Sequence, residues 1–305
     1  MHIREIRAKI DSTQSTRKIT RAMEMIARTK MANAQRRARD FRPYAARVAA
    51  IAARMLRDRP DCVSALMRDE GDARRGDARR SDARHIGVIV ISTDRGLCGP
   101  LNARLMLGCA ERLGAWEQAG AEVELTVIGA RGLGPLVRHG GNVVAHAQGF
   151  GGEPRFDDVL GAMLVPLTGF VEGRLDEVWV TYNHLTNALD YAPRFDRVLP
   201  IAGVAEDAAD ADGHGSDGLA ADYLYEPAPK PVVETVLLRH VEACFYHAVV
   251  ENFACEQCAR MFAMQNATRN ADEMLSELRH VYQKTRQAQI TTELCEIVAG
   301  AAAIG

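Results

Sequence analysis

The chain has 305 residues, a hydrophobic content of 47% and a formal net charge of −2 at pH 7. Its seven cysteines are odd in number and widely scattered, which excludes a disulfide framework and predicts free thiols in a reducing compartment. No apolar run approaches the ~20 residues of a membrane span. Charged, helix-forming sequence follows Met1 directly, so we expect a cytoplasmic protein without a signal peptide or a direct membrane span.

Residues 1–58 are predicted to form a long helix, the first arm of a coiled coil. No glycine occurs before residue 71, and glycine costs a helix interior about 1 kcal/mol. Pro43 predicts a kink, after which the helix resumes. Apolar and polar residues spaced three and four apart predict two successive parts of the coiled-coil stripe. These are Ile3, Ile6, Ile10 and Thr13, followed by Ile19, Met23, Ile26 and Lys30.

The first helix is strongly basic. Residues 1–59 carry sixteen Lys or Arg and five Asp or Glu, whereas residues 230–305 carry seven and nine. One interpretation is a solvated helix face. The other is a surface for an acidic partner, which could be nucleic acid, an anionic membrane or an acidic protein.

Two charged segments lie outside the predicted folded elements. Residues 59–85 contain the near-repeats that begin at Asp72 and Asp77, with almost no apolar side chains to bury, and are predicted to be a flexible linker. Residues 203–229 are acidic, rich in glycine and bounded by proline, and are predicted to be a loop.

Residues 86–202 are predicted to form a central α/β domain. Short apolar, β-branched runs alternate with helical stretches and Gly-rich turns, a pattern typical of parallel βαβ units. The predicted strands are 86–91, 122–128, 142–147 and 177–182.

Residues 230–305 are predicted to form the second long helix, because no glycine occurs between residues 219 and 299 and the last proline is Pro231. Two long helices that close one chain predict an antiparallel coiled coil. The predicted fold class is therefore α/β, with this coiled coil and a central Rossmann-like parallel domain.

The turn at residues 93–99 follows a strand and precedes a helix, where phosphate-binding loops occur. The chain contains no Gly-Lys dipeptide, so it has no Walker A motif, and Gly129, Gly132 and Gly134 do not form the dinucleotide fingerprint. A tight βα turn without a cofactor is favoured. No pairing of carboxylates can be argued for Asp94, Asp157, Asp158 and Asp190.

Ligand-type residues recur along one face of the second helix. They are His240, Cys244, His247, Glu251, Cys255 and Cys258. The stripe is about 27 Å long, too long for one metal site. We interpret it as a coiled-coil seam in which cysteine acts as a small hydrophobic residue, and we expect no bound metal.

Several motifs, in order along the chain, resemble the gamma subunit of F-type ATP synthases. The first helix carries Ile-Arg-x-Lys-Ile at 6–10 and Thr-x-Lys-Ile-Thr-x-Ala-Met-Glu-Met at 16–25. The turn reads Ser-Thr-Asp-Arg-Gly-Leu-Cys-Gly at 92–99. The end of the second helix matches over 256–261, 267–271 and 282–303.

This resemblance implies a non-catalytic rotor subunit without cofactors. The coiled coil is then expected inside a ring of alternating alpha and beta subunits, and the central domain near the epsilon subunit and the membrane c-ring. Rotation couples ion translocation to ATP synthesis or hydrolysis in the beta subunits. The expected location is the cytoplasmic face of the inner membrane, as a peripheral part of the complex, with no nucleic-acid partner.

The same resemblance assigns contacts with the alpha/beta ring to positions that match the family's motifs. On the first helix and in the turn these are Lys18, Arg21, Met23 and Cys98. On the second helix they are Glu256, Arg260, Arg286, Gln287 and Thr291.

The residues alone leave two other classes of function open. One is a coiled-coil nucleic-acid-binding module that uses the basic helix. The other is a nucleotide-dependent α/β enzyme that uses the turn at 93–99.

Overall fold

A computed structural model describes residues 3–58, 62, 64–67, 83–150, 156–186, 190–201 and 224–304. The chain divides into two compact units. The helical unit comprises residues 1–29 and 260–305, and the sheet unit comprises residues 30–259. Among the described residues, no helix is both long and apolar enough to cross a membrane.

Two long helices supply both ends of the chain. Helix α1 spans Ile3–Asp58 and continues through Pro43, and the last helix, α5, spans Pro229–Ile304. Helix α5 thus begins one residue before the predicted start at residue 230, with Pro229 and Pro231 in its first turn. Prolines fit in a first helical turn because the backbone N–H groups there have no intrahelical acceptor.

In the helical unit, α1 and α5 pair as an antiparallel coiled coil. Arg17 Nη1 lies 2.9 Å from Asp272 Oδ1, and Thr268 Oγ1 donates to Thr20 Oγ1 at 2.8 Å. Buried or half-buried residues of α1 recur every seven positions, at Ile6, Thr13, Thr20 and Ala27. The facing α5 residues alternate three and four apart, at Met264, Thr268, Ala271, Leu275, Leu278, Tyr282 and Thr285.

The predicted second part of the α1 stripe is wrong. Ile19 and Ile26 are 56% and 58% exposed, and Met23 is exposed on the same side of the helix. The seam uses the smaller Thr20 and Ala27 instead, which lets the helix axes approach closely.

The sheet unit contains five strands in the order β3-β2-β1-β4-β5. The first four are parallel, as predicted: β1 is His85–Ile91, β2 Glu122–Ile128, β3 Asn142–Ala147 and β4 Glu177–Leu185. The connecting helices are α2 at Leu101–Gln118, α3 at Ala130–Arg138 and α4 at Phe156–Val171.

The fifth strand, β5 at Tyr191–Leu199, was not predicted and runs antiparallel to β4. Its sequence has no apolar run, and it contains Pro193, which cannot donate a ladder hydrogen bond. A strand at the edge of a sheet tolerates both features, because one side of its backbone has no neighbouring strand.

Alternate residues of β1 enter cores on opposite faces of the sheet. Val88 packs with Leu105 and Trp116 of α2, whereas Ile89 belongs to the core that contains Phe245 of α5. Leu66, in a short 3₁₀ helix at Ala65–Met67, is buried in this second core although it falls within the predicted linker. The Asp-Ala-Arg-Arg repeats and residues 203–223 of the predicted acidic loop lie outside the described residues.

Candidate functional site

The turn that follows β1 uses its polar groups internally. Asn102 Nδ2 donates to Thr93 Oγ1 at 2.7 Å, and the Thr93 backbone N–H donates to Asn102 Oδ1 at 3.2 Å. The Asp94 carboxylate accepts from the backbone N–H groups of Ala130 and Gly149, at 3.2 and 3.1 Å. The first three backbone N–H groups of α3 therefore already have partners, which are the Asp94 carboxylate, the Thr93 carbonyl oxygen and Ser92 Oγ, and none is left for a phosphate.

Two glycines allow β1 and α3 to approach each other closely. Ser92 Oγ donates to the Ile128 carbonyl oxygen at 2.8 Å and accepts from the Gly132 N–H at 2.9 Å. A Cβ atom at Gly129 would lie 2.5 Å from the Ser92 carbonyl oxygen, and one at Gly132 would lie 2.8 Å from Ser92 Oγ. These glycines thus serve packing within the domain.

Helix α5 closes the crevice at the carboxyl ends of the parallel strands. Asn252 and Glu256 of α5 line it together with Ser92 and Asp94, and its volume is only about 30 Å³. Small-molecule sites occupy about 300–1,000 Å³, and this crevice has room for about one water molecule. A nucleotide therefore does not fit, and the enzyme alternative loses the turn on which it depended.

Buried polar contacts fasten α5 to β4. Asn252 Oδ1 accepts from the backbone N–H and from Nδ2 of Asn183, at 3.1 and 2.9 Å. Cys255 Sγ donates to the Asn183 carbonyl oxygen at 3.1 Å, and burial raises the pKa of this thiol. Cys255 packs with Tyr191 of β5. The predicted coiled-coil seam is therefore wrong at Cys255, which packs against the central sheet.

The same face of α5 carries a histidine–carboxylate cluster. Glu251 Oε1 lies 2.5 Å from His184 Nδ1, and Glu251 Oε2 lies 3.7 Å from His247 Nδ1. Burial lowers the pKa of His247, against the opposing effect of Glu251. Cys244 Sγ lies 3.7 Å from His240 Nε2. Within the described part of the chain, no group of three such residues has a geometry that could hold a metal ion.

The predicted contact residues of α1 are exposed but do not lie on one face, because Arg21 and Met23, two positions apart, project towards nearly opposite sides of the helix. Lys18, Arg21 and Met23 are all exposed. Met23 lies on one helix face with Ile19 and Ile26, which were predicted to belong to the seam. An exposed apolar strip of this kind is typical of a protein-interaction surface.

The predicted contact residues near the end of α5 are exposed as well. They are Arg286, Gln287 and Thr291. The structure adds exposed apolar residues that the sequence analysis missed, namely Ile290, Leu294, Ile297 and Val298. Their spacing of four, three and one places them on one helix face, and this periodicity could have identified the apolar face, although not its exposure.

The structure buries two of the predicted contact residues. Cys98 is 2% exposed, and Leu97 is instead the exposed apolar residue of that turn. Glu256 is 8% exposed and faces the closed crevice, whereas Arg260 is half-buried. Cys98 and Glu256 therefore do not present their side chains at the surface.

The chain matches known proteins over its whole length. Residues 2–304 match the sequence profile of the family described as ATP synthase. The ATP synthase gamma chain of Methylibium petroleiphilum is 43% identical over 302 residues, and that of Thiobacillus denitrificans is 40% identical over 302 residues. Each match covers 99% of both chains.

Solved structures share the fold at lower identity. A chain of the Euglena gracilis mitochondrial ATP synthase, from its OSCP/F1/c-ring structure, has a TM-score of 0.65 and 19% identity, over 99% of this chain and 94% of that chain. A chain of the Tetrahymena thermophila central stalk/c-ring structure has a TM-score of 0.57 and 22% identity, over 82% and 99%. The chain belongs to the ATP synthase gamma chain family, the non-catalytic central-stalk rotor subunits of F-type ATP synthases.

Proposed function

We propose that this gamma chain transmits torque between a membrane c-ring and a ring of alpha and beta subunits. Ion translocation through the membrane ring is thereby coupled to ATP synthesis or hydrolysis in the beta subunits. The alpha/beta ring receives the outer face of α1 and the end of α5. The catalytic groups belong to the partner subunits.

The end of α5 is the observation that carries this proposal. The α1 seam begins at Ile6, and the α5 seam ends at Thr285. From residue 286 to residue 302 every residue of α5 is exposed. Among the described residues of the helical unit, the apolar face of this segment, which includes Leu294 and Ile297, has no partner. A surrounding ring of subunits would supply that partner.

The outer face of α1 provides a second surface for the ring. Ile19, Met23 and Ile26 supply apolar contacts, and Lys18 and Arg21 add positive charge elsewhere on the exposed surface of α1. An acidic loop of a beta subunit would pair with these cations. Exposed ion pairs contribute only about 0–1 kcal/mol each, so such contacts can form and break as the rotor turns.

The two buried residues act from inside the subunit. Cys98 packs with Leu101 and Cys255, and it thereby fixes the turn that presents Leu97. Glu256 closes the crevice next to Asp94. We propose positioning roles for both residues, whereas Arg260, Arg286, Gln287 and Thr291 contact the ring directly.

The sheet unit is proposed to face the epsilon subunit and the c-ring. This places the chain at the cytoplasmic face of the inner membrane, as a peripheral member of the complex. The family assignment supports this arrangement, because 40% identity extends over 99% of the chain and so includes the sheet unit.

The test of the apolar end compares Leu294→Ser/Ile297→Ser with wild type in reassembly with the cognate alpha and beta subunits. We expect at least a tenfold loss of affinity for the alpha/beta ring, because two apolar side chains lose their burial. Leu107→Ser on α2 is the matched control, since Leu107 is equally exposed but lies in the sheet unit. Wild-type affinity of the double variant would refute the proposed contact.

The test of coupling uses Arg260→Ala in the complete synthase in vesicles. We expect fewer ions pumped per ATP hydrolysed, because the substitution removes a charged contact between Arg260 and the alpha/beta ring. Arg269→Ala, an exposed cation nine positions further along α5, is the control. An unchanged ratio of pumping to hydrolysis in Arg260→Ala would exclude a torque-bearing role for this residue.

A further inference from the structure

Glu251 of α5 lies between two histidines at the place where this helix packs against β4. Its Oε1 atom lies 2.5 Å from His184 Nδ1 of β4, and its Oε2 atom lies 3.7 Å from Nδ1 of His247, one turn earlier on α5. The Glu251 side chain is 14% exposed, and both histidines are half-buried. None of the three belongs to the proposed ring contacts, so the rotor function does not account for this cluster.

The cluster receives charged and titratable groups from four elements of the sheet unit. Arg194 Nε of β5 lies 2.8 Å from Asp196 Oδ1, and the Tyr182 hydroxyl of β4 donates to Asp196 Oδ2 at 2.9 Å. Arg42 of α1 lies close enough to His247 for their charges to interact. The groups that face the cluster are Arg42 on α1, Tyr182 and His184 on β4, Arg194 and Asp196 on β5, and His240, Cys244, His247, Glu251 and Cys255 on α5.

The charges of this cluster balance while its imidazoles are neutral. The carboxylates of Glu251 and Asp196 then equal the two arginines in number. Burial raises the pKa of the Tyr182 hydroxyl and of the Cys255 thiol, so both keep their protons near neutral pH. Histidine is the side chain whose charge changes between pH 5 and 8. Each proton that an imidazole takes up therefore adds a positive charge that no carboxylate of the cluster balances.

The surroundings of His247 favour its neutral form. Burial lowers the pKa of His247, against the opposing charge of Glu251. The charges of Arg42 and Arg194 act in the same direction as burial. The folded protein thus takes up this proton at a lower pH than the unfolded chain, in which histidine has a pKa of about 6.5. The contribution of neutral His247 to stability is fully present above about pH 6.5 and is lost as the pH falls below that value.

We propose that this cluster is an acid-sensitive joint, in which protonation of His247 loosens the packing of α5 against β4. Protons reach His247 from solvent through a cleft of about 750 Å³, which His247 lines together with Arg194 and Asp196. The added positive charge then lies close to Arg42 and Arg194, and α5 relieves the repulsion by moving away from the strand. The joint lies within the sheet unit, so this regulation is additional to the contacts with the ring and independent of them.

The backbone N–H of Asn183 reports on the joint. Asn183 precedes His184 in β4, and its N–H donates to Oδ1 of Asn252, the residue after Glu251 on α5. Opening of the joint exposes this N–H to water. Its hydrogen exchange in the full-length chain, corrected for the intrinsic pH dependence of exchange, therefore measures the opening equilibrium. We expect this equilibrium constant to rise between pH 7.5 and 5.5, by up to tenfold per pH unit for one proton.

Two variants, each with a matched control, identify the group that responds to acid. His247→Gln keeps a polar side chain without the titrating ring, and the rise at Asn183 should be at least threefold smaller than in wild type. Arg42→Gln changes an exposed residue outside the core and should reduce the rise in part, because one cation beside His247 is removed. The controls His280→Gln and Arg39→Gln change exposed residues of the same two helices and should keep the wild-type rise.

NMR titration of the histidine rings gives a second measurement. The ring signal that is missing in His247→Gln identifies His247, which should titrate at a lower pH than in the urea-unfolded chain. Titration of His247 at or above the pH found in the unfolded chain would overturn the proposal. An equal rise in His247→Gln and His280→Gln would do the same. An effect of Arg39→Gln as large as that of Arg42→Gln would overturn it too, because the response would then follow net charge alone.

Discussion

Asn252 of α5 holds Asn183 of β4 through two hydrogen bonds to one oxygen atom, from the backbone N–H at 3.1 Å and from Nδ2 at 2.9 Å. Asn183 is fully buried, so both donors lie beyond the reach of water. We expect Asn252→Ala to lower the free energy of unfolding by about 1–3 kcal/mol, the cost of leaving buried donors unsatisfied. Denaturant unfolding of the variant and of wild type measures this difference in the free energy of unfolding. Asn266→Ala, at an exposed site of the same helix, should change stability by less than about 0.5 kcal/mol.

Leu275 and Leu294 lie in parts of α5 with different proposed roles, which are coiled-coil pairing and assembly with the alpha/beta ring. Leu275 is buried in the seam and Leu294 is exposed beyond it. We expect Leu275→Ala to destabilise the coiled coil by about 2–5 kcal/mol through lost burial and a residual cavity. Leu294→Ala should leave thermal unfolding of the isolated chain almost unchanged and weaken assembly with the ring. Equal melting temperatures for the two variants would contradict the assignment of the seam.

Gly129 and Gly120 differ in how closely other atoms approach them. Both have positive φ, +91° and +81°, but a Cβ atom at Gly120 would meet nothing within 4 Å. We expect Gly120→Ala to cost about 1 kcal/mol from φ strain alone. Gly129→Ala should cost more, because its φ of +91° and ψ of 143° lie outside the left-handed helical region and its Cβ would also lie 2.5 Å from a backbone oxygen. Paired urea unfolding curves measure the difference, and equal losses would contradict the packing argument.

We expect the buried thiol of Cys109 to make the folded protein less stable at alkaline pH. Burial raises its pKa from 9.0 to about 12, so the folded state retains a proton that the unfolded state releases. The contribution is fully present below about pH 9 and is lost as pH rises from there towards 12, with a slope of at most about 1.4 kcal/mol per pH unit.

The measurement is the pH dependence of unfolding free energy for wild type and Cys109→Ala. The variant should be less stable at neutral pH because of the cavity, yet its stability should decline less steeply above pH 9. Cys295→Ala, which removes an exposed thiol, should keep the wild-type slope. A wild-type slope in Cys109→Ala would exclude this thiol as the source.

The sequence predicted four parallel strands and both long helices, because uninterrupted apolar runs and the absence of glycine are local properties of the chain. The α1 seam was located only in part, because Ile19 and Ile26 are apolar and exposed while Thr20 and Ala27 form the contact. Apolar residues reserved for another subunit have the same periodicity as core residues. One chain alone therefore cannot separate the two by pattern.

Strand β5 and the contacts of Cys255 escaped prediction for a different reason. Both depend on pairing between distant parts of the chain, such as Cys255 with Asn183. A polar edge strand has little apolar signal, and a cysteine on a helix gives no sign of which surface it meets. The predicted boundaries of the linker and of the acidic loop stay predictions.

Asn252 and Glu256 of α5 close the strand-end crevice and thereby limit what this domain could bind there. In doubly wound sheets that position receives an exchangeable molecule, whereas here a segment of the same polypeptide fills it permanently. Its occupancy is then set by the folding of the chain rather than by the concentration of a ligand. A variant that vacated this space would gain a pocket only by loosening the anchorage of α5 to the sheet.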